Sequence, residues 1–298
     1  MRRTAPRYCS SDKNPWHDAG LVVTVIDMSN KLHHVAVVNE EIAERGTYRT
    51  RHGEIVEIGP QLHAARTGTV SYSPAQLDVL VRGPVPGSGA PAVEVTGEGS
   101  TQAARRLFAG GDSGRVAVLN FASARNPGGG YLKGARAQEE DLCRHALLYT
   151  CLVRAPDYYA AHRASKDLRY SHRVILSPDV PVIRDDQDEL ATPFPVTFLT
   201  SPAPNATQLA RLSGPVDVRE VLAQRAERVI AVAARHEVRI LVLGAWGCGV
   251  FGNDPGEVAD AFAAALDRWG AAFDRVVFAV RDRATVSANR AAFQARFA

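Results

Sequence analysis

The segment "VAVLNFASARNPGGGYLKGARAQEED", residues 116–141, contains the pattern from which the fold can be inferred. Its first six residues form a continuous apolar run bounded by turn residues, which is typical of a strand buried on both faces. Three consecutive glycines follow soon after, and glycine loses more conformational freedom on folding than any other residue. A strand followed by three glycines predicts a loop whose function requires backbone without side chains.

The composition of the chain limits the classes of protein to consider. The chain has 298 residues, 46% of them hydrophobic and 22% charged, so it can bury a substantial core. A net charge of +3 allows an anionic ligand but is far from that of a dedicated nucleic-acid-binding protein. No apolar run approaches the ~20 residues of a membrane span. The cysteines form no CxxC pair, which favours reduced thiols in the cytoplasm over disulfides or structural zinc: Cys9, Cys143, Cys151 and Cys248.

The order of apolar segments predicts the domain organisation. Residues 1–28 are expected to be a poorly ordered N-terminal extension, and Met28 is a candidate initiator residue. From Ser29 onward, segments with helical periodicity alternate with short apolar segments. This alternation predicts an α/β fold in which helices cover both faces of a sheet. No linker interrupts the chain, so a single domain over residues 29–298 is preferred over two.

Individual elements can be predicted from the same patterns. Strands are expected within residues 116–121, 173–185, 194–205, 239–246 and 275–280. Helices are expected over residues 29–46, 139–155, 218–237 and 255–269. Residues 82–99 form a polar stretch rich in proline and glycine, for which we expect no regular element.

A second glycine loop, "GAWGCGVFGNDPGE" at residues 244–257, follows the apolar segment 239–243. Asp254 suits the N-cap of the next helix and Pro255 its first position. A glycine loop that leads into a helix N-terminus offers free backbone N–H groups to an anion, and its four glycines exceed what a turn requires. A phosphate loop is therefore favoured over a simple turn. Its GxGxxG pattern lies too near the C-terminus for the usual dinucleotide-binding fingerprint.

The two loops are expected to lie at one edge of the sheet, because both follow buried strands of a parallel region. Ligands of open α/β sheets bind at that edge. Two glycine loops at one crevice fit a diphosphate linked to sugars better than a single phosphate. Asn120 and Asn126 are candidates to bind ribose hydroxyls. Asn126 also suits the start of a turn, and a structural role fits Asn120 equally well.

Gln138, Glu139 and Glu140 enter a predicted helix, where consecutive side chains point about 100° apart. The two glutamates therefore cannot face one bond as the opposed pair of a standard glycosidase, whose carboxyl groups lie ~5 Å or more apart. A single glutamate that acts first as acid and then as base fits better. The alternative is an acidic first turn that only complements the helix dipole. The neighbouring glycines favour the catalytic interpretation.

The spacing GGG, seven residues, QEE resembles the signature of bacterial-type poly(ADP-ribose) glycohydrolases, which are built on an ADP-ribose-binding macrodomain. The similarity extends to "VEVTGEGSTQAARRL", "VLGAWGCGVFGNDP" and "NRAAFQARF", and so covers nearly all of the chain after residue 28. It implies a three-layer α/β/α macrodomain-like fold with a central mixed sheet. It also implies hydrolysis of the ribose–ribose O-glycosidic bonds of poly(ADP-ribose), which releases ADP-ribose, without a metal or another cofactor.

The resemblance also implies roles for individual residues. Glu140 would be the catalytic acid/base, Glu139 would bind hydroxyls of the ribose at the scissile bond, and Gln138 would support the pair. The first-loop glycines would bind near the diphosphate and the distal ribose: Gly128, Gly129 and Gly130. The second loop would wrap the diphosphate, with its aromatic residue packed near the ribose: Gly247, Cys248, Gly249, Val250 and Phe251.

The same resemblance sets the expected partners. Poly(ADP-ribose) or ADP-ribosylated proteins would be the substrates of a cytoplasmic monomer that acts in the DNA damage response, without membrane binding or sequence-specific binding to nucleic acid. Two alternatives on the same fold stay open: a non-catalytic macrodomain that binds terminal ADP-ribose, and a hydrolase that removes single ADP-ribose groups from proteins. The adjacent glutamates argue against the first, because a reader of ADP-ribose needs no acid beside the distal ribose.

Overall fold

The first helix of the described chain, α1, begins ten residues earlier than predicted. A computed structural model describes residues 19–111, 115–282 and 286–298, with side chains from Asn30 onward. α1 spans Ala19–Arg45 and is followed by Gly46, whose φ of +71° is the left-handed conformation that commonly ends a helix. The predicted extension is therefore helical from residue 19 onward, and residues 1–18 lie outside the described residues.

The strands form a ribbon and a larger mixed sheet. Their bounds are Thr47–Arg49 (β1), Ile55–Glu57 (β2), Val70–Tyr72 (β3), Ala92–Thr96 (β4), Arg115–Phe121 (β5), Val174–Arg184 (β6), Leu190–Ser201 (β7), Val238–Leu243 (β8) and Arg275–Ala279 (β9). β1 and β2 form the antiparallel ribbon. The larger sheet has the order β3-β6-β7-β5-β8-β9-β4. Strands β7, β5, β8, β9 and β4 are parallel, whereas β6 runs antiparallel to both β7 and β3.

Helices cover both faces of the larger sheet. After α1 their bounds are Gly59–Thr67 (α2), Pro74–Val81 (α3), Ser100–Ala109 (α4), Gln138–His145 (α5), Tyr149–Leu152 (α6), Pro156–Ala164 (α7), Ala206–Ser213 (α8), Arg219–Arg235 (α9), Pro255–Trp269 (α10) and Ala288–Phe297 (α11). One apolar cluster is buried between the sheet and helices α1, α4 and α5, and a second is buried between the sheet and helices α9, α10 and α11. The predicted three-layer α/β/α fold with a mixed sheet is confirmed. No helix of the described ranges is long and apolar enough to cross a membrane.

Alternation along β5 decides which side chains reach each face. Val116 and Val118 pack with the α4 and α5 face, whereas Ala117 and Leu119 pack with the α9 face. Since successive side chains of a strand point to opposite sides, Asn120 follows Val118 toward α5. The strand thus directs a polar side chain at the helix that carries the glutamates.

The topology brings several loops to one edge of the sheet. β5 is in parallel register with β7 (Asn120 opposite Thr200) and with β8 (Val118 opposite Val242), so their carboxyl ends meet there. Because β6 is antiparallel to β7, the amino end of β6 reaches this edge. The loop before β6, residues 165–173, therefore joins both glycine loops at the crevice.

Two elements differ from the prediction. β4 lies within residues 82–99, where no regular element was expected, and pairs with β9 as an edge strand. The single helix predicted over 139–155 is interrupted at Ala146, whose φ of −120° and ψ of 156° are extended. Ala146 forms a bridge with Val182 of β6, so pairing with the sheet overrides the helical periodicity at this point.

Candidate active site

Gln138 attaches the first turn of α5 to the end of β5. Its Oε1 accepts a hydrogen bond from the N–H of Phe121 at 2.9 Å. Its Nε2 donates to the carbonyl of Leu119 at 2.8 Å and to Oγ of Ser100 at 3.1 Å. The amide therefore binds backbone groups of β5 beyond its last pair with β8, Val118 opposite Val242. Gln138 thereby fixes the start of the helix that carries both glutamates, and it does not line the cavity described below.

Glu139 lies behind the cavity wall and is only 2% exposed. Its Oε2 accepts a hydrogen bond from the N–H of Ser123 at 2.6 Å, and its Oε1 accepts one from Nδ2 of Asn120 at 3.2 Å. Burial raises the pKa of Glu139 to about 8, although both hydrogen bonds favour the carboxylate. Glu139 is thus held by the strand and loop beside it, and its carboxyl group carries a proton more readily than an exposed glutamate.

Glu140 lines the cavity and is 7% exposed. Its Oε1 accepts a hydrogen bond from the N–H of Gly130 at 2.8 Å. Its Oε2 is buried and has no hydrogen-bond partner among the described residues. One oxygen is therefore fixed by the glycine loop, and the other is available to bind a ligand or to carry a proton.

The first glycine loop fits around the two carboxyl groups. Gly128 and Gly129 have φ values of +64° and +58°, in the left-handed region that disfavours other residues. A Cβ on Gly129 would collide with Oε1 of Glu140 and would lie 3.2 Å from Oε2 of Glu139. The N–H of Gly129 donates to the carbonyl of Asn126 at 3.0 Å. The amides of Gly129 and Gly130 thus bind protein acceptors, so these glycines offer a ligand close approach and not free N–H groups.

A cavity of about 630 Å³ opens in front of this loop. Its walls bring together residues from both predicted loops, namely Asn126, Gly129, Gly130, Glu140 and Phe251. Asn126 is exposed, and no described residue binds its side-chain amide. The volume lies within the ~300–1,000 Å³ typical of small-molecule sites. The first and second loops therefore face one binding site.

Other predicted site residues do not line this cavity. Asn120 is fully buried and binds Glu139 and Oγ1 of Thr200, because alternation along β5 turns it toward α5. Its Nδ2 thereby holds Glu139, and the expectation that Asn120 binds ribose hydroxyls stays a prediction. The remaining predicted residues that do not line the cavity are Gly128, Gln138, Glu139, Gly247, Cys248, Gly249 and Val250.

The second loop presents backbone N–H groups near the cavity. Within the described chain, no protein group accepts from the N–H of Gly247, Gly249, Val250 or Phe251. A Cβ on Gly249 would meet nothing within 4 Å, and Val250 is 87% exposed. Successive amides without acceptors form the kind of concave nest that binds phosphate oxygens.

Three details of the second loop refine the sequence interpretation. Asp254 caps α10 by accepting from the N–H groups of Gly256 at 2.8 Å and Glu257 at 3.0 Å. The helix N-terminus is therefore closed by its own cap, and the loop before it is the candidate anion site. Gly247, with φ of +74°, is required by the turn, because a Cβ there would collide with Asn253. Burial raises the pKa of the Cys248 thiol to about 12, so this residue is not an activated nucleophile.

Tyr170 is a cavity residue that the sequence analysis did not identify. Its ring lies 6.3 Å from that of Phe251 and tilted by 41° to it, so two aromatic faces border the cavity. The backbone of this loop is held by Arg225, which is fully buried and donates to the carbonyls of Tyr170 at 3.0 Å, Arg169 at 2.7 Å and Pro202 at 2.7 Å. Only the orientation of β6 places Tyr170 at this edge, and local sequence carries no such information.

Metal binding finds no support in the described geometry. In residues 30–111, 115–282 and 286–298, no group of three or more His, Cys, Asp or Glu side chains is arranged to hold a metal ion. Cys143 and Cys151 are buried free thiols, as predicted, on α5 and α6.

A buried carboxyl group beside two glycine loops, at the carboxyl edge of a mixed α/β sheet, defines a macrodomain-like protein with a glycosidase-type site. A family model for the microbial-type catalytic domain of poly(ADP-ribose) glycohydrolase (PARG) matches residues 36–185. The chain belongs to this family. No curated protein sequence matches it significantly.

Solved structures of bacterial enzymes are similar to the whole fold. PARG from Thermomonospora curvata is 44% identical, with a TM-score of 0.84 over 90% of this chain and 100% of that one. The same enzyme bound to the inhibitor ADP-HPD gives 46% identity and a TM-score of 0.83, again over 90% of this chain and 100% of that one. PARG from Deinococcus radiodurans in complex with ADP-ribose is 45% identical, with a TM-score of 0.74 over 80% of this chain and 97% of that one.

Proposed function

We propose that this chain is a poly(ADP-ribose) glycohydrolase that cleaves ribose–ribose O-glycosidic bonds and releases ADP-ribose. The position of Glu140 is the main observation behind this proposal. Its carboxyl group is buried at the cavity wall, with one oxygen fixed by Gly130 and the other without a protein partner. Such an oxygen suits proton transfer to a bound glycosidic bond.

In the proposed mechanism Glu140 acts first as an acid. The proton on its Oε2 moves to the leaving ribose oxygen while the bond from that oxygen to the anomeric carbon breaks through an oxocarbenium-like transition state. The resulting carboxylate then takes a proton from water, and the hydroxide oxygen bonds to the anomeric carbon. Glu140 ends the cycle protonated, so atoms and charge balance without another cofactor.

Glu139 supports this reaction from behind the wall. It binds the N–H of Ser123, whose residue lines the cavity, and the side chain of Asn120. It thereby holds both the start of the first loop and the first turn of α5 in place. A direct bond from Glu139 to a ribose hydroxyl, as the resemblance implies, would need access past Gly129, the residue that lies against its Oε2.

The second loop supplies the binding energy in this proposal. The unpaired N–H groups of Gly249, Val250 and Phe251 are candidate donors to the diphosphate of ADP-ribose. The rings of Phe251 and Tyr170 would pack against the ribose. Binding of a remote group in this way positions the reacting sugar, which lowers the barrier without new chemistry.

The variant Glu140→Gln tests the catalytic assignment. It keeps the size of the side chain and the bond from Gly130, but it removes the transferable proton. Release of ADP-ribose should fall by at least ~10²-fold, the usual minimum for loss of a general acid. Affinity for ADP-ribose, measured by calorimetry, should stay within a few-fold. Asp141→Asn is the matched control, because this neighbouring carboxylate is on α5 but does not line the cavity. Normal turnover by Glu140→Gln would refute the assignment.

A paired substrate assay separates the two alternatives that share the fold. Poly(ADP-ribose) and a mono-ADP-ribosylated protein are offered to the wild-type protein, and free ADP-ribose is measured by chromatography. Release from the polymer alone supports the proposal. Release from the mono-modified protein alone would identify the other hydrolase, and binding without release would identify a reader.

The cellular setting is part of the same proposal. We place the protein in the cytoplasm because its described cysteines, Cys143, Cys151 and Cys248, are free thiols. A monomer is part of the proposal. A role in the DNA damage response follows from the family resemblance. Accumulation of polymer after DNA damage in cells that lack the protein would test it.

A further inference from the structure

A second cleft, of about 280 Å³, lies between α1, β1 and the carboxyl end of β6. We call it the α1 cleft. Three of its lining residues are arginines, and the residues used below are His34, Arg49, Arg51, Arg184, Glu189 and Leu190. Neither the proposed reaction nor the ADP-ribose cavity involves any of them. The cleft is smaller than the ~300 Å³ lower limit of sites for drug-sized ligands, so it suits a compact group such as a phosphate.

Arg184 provides a buried positive charge at the base of this cleft. It is 6% exposed, and it donates from Nε and Nη2 to Oδ1 of Asn39 at 3.2 and 2.8 Å and from Nη1 to the carbonyl of Asp188 at 2.8 Å. These acceptors are neutral, and no described carboxylate forms an ion pair with Arg184. Burial lowers the pKa of this guanidinium, and the nearby carboxylates of Asp188 and Glu189 offset only part of this effect.

The other charges of the α1 cleft leave an excess of positive charge. Arg49 is exposed and donates to the carbonyl of Gly53 at 2.5 Å, with no ion-pair partner among the described residues. Arg51 is paired with Asp185 at 2.6 Å. The acidic lining residue is Glu189. Two guanidinium groups without ion pairs therefore share a cleft with one carboxylate, an arrangement that favours an anion with several acceptor oxygens.

The α1 cleft lies next to the active-site cavity. Leu132 and Lys133 belong to the cavity wall, and Nδ1 of His33 is 2.7 Å from the carbonyl of Leu132. The next residue along α1, His34, lines the α1 cleft. The side chains of two consecutive residues of α1 thus reach the rim of the cavity and the cleft.

A second connection runs through Asn39. While its Oδ1 accepts from Arg184, its Nδ2 donates to the carbonyl of Arg144 at 2.8 Å, near the end of α5. Glu140 precedes Arg144 by four residues, about 6 Å along the helix axis. The base of the α1 cleft is therefore bonded to the helix that carries the catalytic glutamate.

We infer that the α1 cleft binds a phosphate of the poly(ADP-ribose) chain, on a unit beyond the one held in the active-site cavity. This inference rests on the proposed function. A polymer held at the cavity presents its next phosphates beside the rim at high effective concentration, so even weak binding at Arg49 and Arg184 adds to the affinity for chains. A single ADP-ribose held in the cavity has no second unit to place in the cleft.

Arg49→Gln tests the inference, because Arg49 is exposed and its loss should not disturb folding. The kcat/KM for free poly(ADP-ribose) chains should fall about tenfold, whereas the affinity for ADP-ribose monomer, which has no second unit, should not change. Arg184→Lys is the second variant, since lysine keeps the charge but loses the planar fork that binds Asn39 and phosphate. Arg82→Gln is the matched control: it removes an exposed arginine after α3, on the opposite face of the sheet.

Binding gives a second readout that does not depend on turnover. In a Glu140→Gln background, the affinity of fluorescent long chains is measured at several salt concentrations. Loss of one phosphate contact lowers the slope of log K against log[salt] by about 0.7 for a flexible single-stranded polyanion. Arg49→Gln should show this decrease, whereas Arg82→Gln should not.

Three results would overturn the inference: an equal loss of affinity for ADP-ribose monomer and for chains, no loss relative to Arg82→Gln, and a loss confined to chains attached to protein. The last result would assign the cleft to an acidic segment of the modified protein. If the wild-type protein releases no ADP-ribose from any chain, the proposed function fails, while the salt dependence of polymer binding still decides whether the cleft binds phosphate.

Discussion

Gly129→Ala gives the sharpest test of how the first glycine loop works. Alanine at this position meets two separate obstacles in the structure. The φ of +58° is left-handed, which costs an alanine about 1–2 kcal/mol of folding free energy. The added Cβ would also collide with Oε1 of Glu140, the oxygen that Gly130 holds.

The second obstacle determines the effect on activity. The carboxyl group of Glu140 has to move by about 1 Å to make room, and a misplacement of that size costs about 10²-fold in rate. The new Cβ cannot shift toward Glu139 instead, because it already lies 3.2 Å from Oε2 of that residue. We therefore expect kcat to fall about 10²-fold, with a loss of stability of only about 1–2 kcal/mol.

Gly111→Ala is the matched control for backbone strain. Gly111 has a φ of +74°, and a Cβ there would meet nothing within 4 Å. Both variants should lower the thermal midpoint by a similar few degrees, about 2–4 °C per kcal/mol. Only Gly129→Ala should lose kcat, measured as ADP-ribose released from polymer under saturating substrate. Wild-type kcat in Gly129→Ala, or an equal loss in Gly111→Ala, would show that contact with Glu140 is not what requires the glycine.

Two further predictions concern buried charges. Burial raises the pKa of Glu139 from its ordinary 4.5 to about 8, so between these pH values the folded protein holds more protons than the unfolded chain. The free energy of unfolding should therefore fall as the pH rises through this range, by up to about 1.4 kcal/mol per pH unit. Glu139→Gln should remove this slope in urea unfolding at pH 5, 6.5 and 8; parallel curves for both proteins would contradict the pKa shift. Arg225→Met should leave the carbonyls of Tyr170, Arg169 and Pro202 without their donor. We expect this variant to lose about 3 kcal/mol or more of folding stability and to bind ADP-ribose more weakly in calorimetry. Unchanged affinity would show that the Tyr170 loop does not shape the site.

Local patterns were sufficient for the elements whose physics is local. β5 could be predicted because a fully buried strand needs a continuous apolar run. The start of α10 could be predicted because Asp254 and Pro255 carry the chemistry of a helix N-terminus, and the structure confirms the Asp254 cap. Gln138 also lies where the spacing placed it, with its amide on the backbone of β5.

Local sequence patterns could not predict the features that depend on the rest of the molecule. β4 is a short edge strand with no fully buried residue, so its sequence lacks the periodicity of a strand. The break at Ala146 exists because β6 offers Val182 as a pairing partner. Tyr170 reaches the cavity because β6 is antiparallel, and Asn120 turns away from it because of its place in the β5 alternation. Each of these depends on strand order or direction, which one sequence does not specify.

The way the cavity is assembled has a consequence for folding kinetics. Its walls come from residues 123 to 251, which meet only when β5, β6, β7 and β8 are aligned side by side. Contacts between residues so far apart in sequence form slowly, because loop closure must precede them. Capacity to bind ADP-ribose should therefore return in the last phase of refolding, after most helical circular dichroism has recovered. A fluorescent ADP-ribose analogue would thus report completion of the sheet in real time.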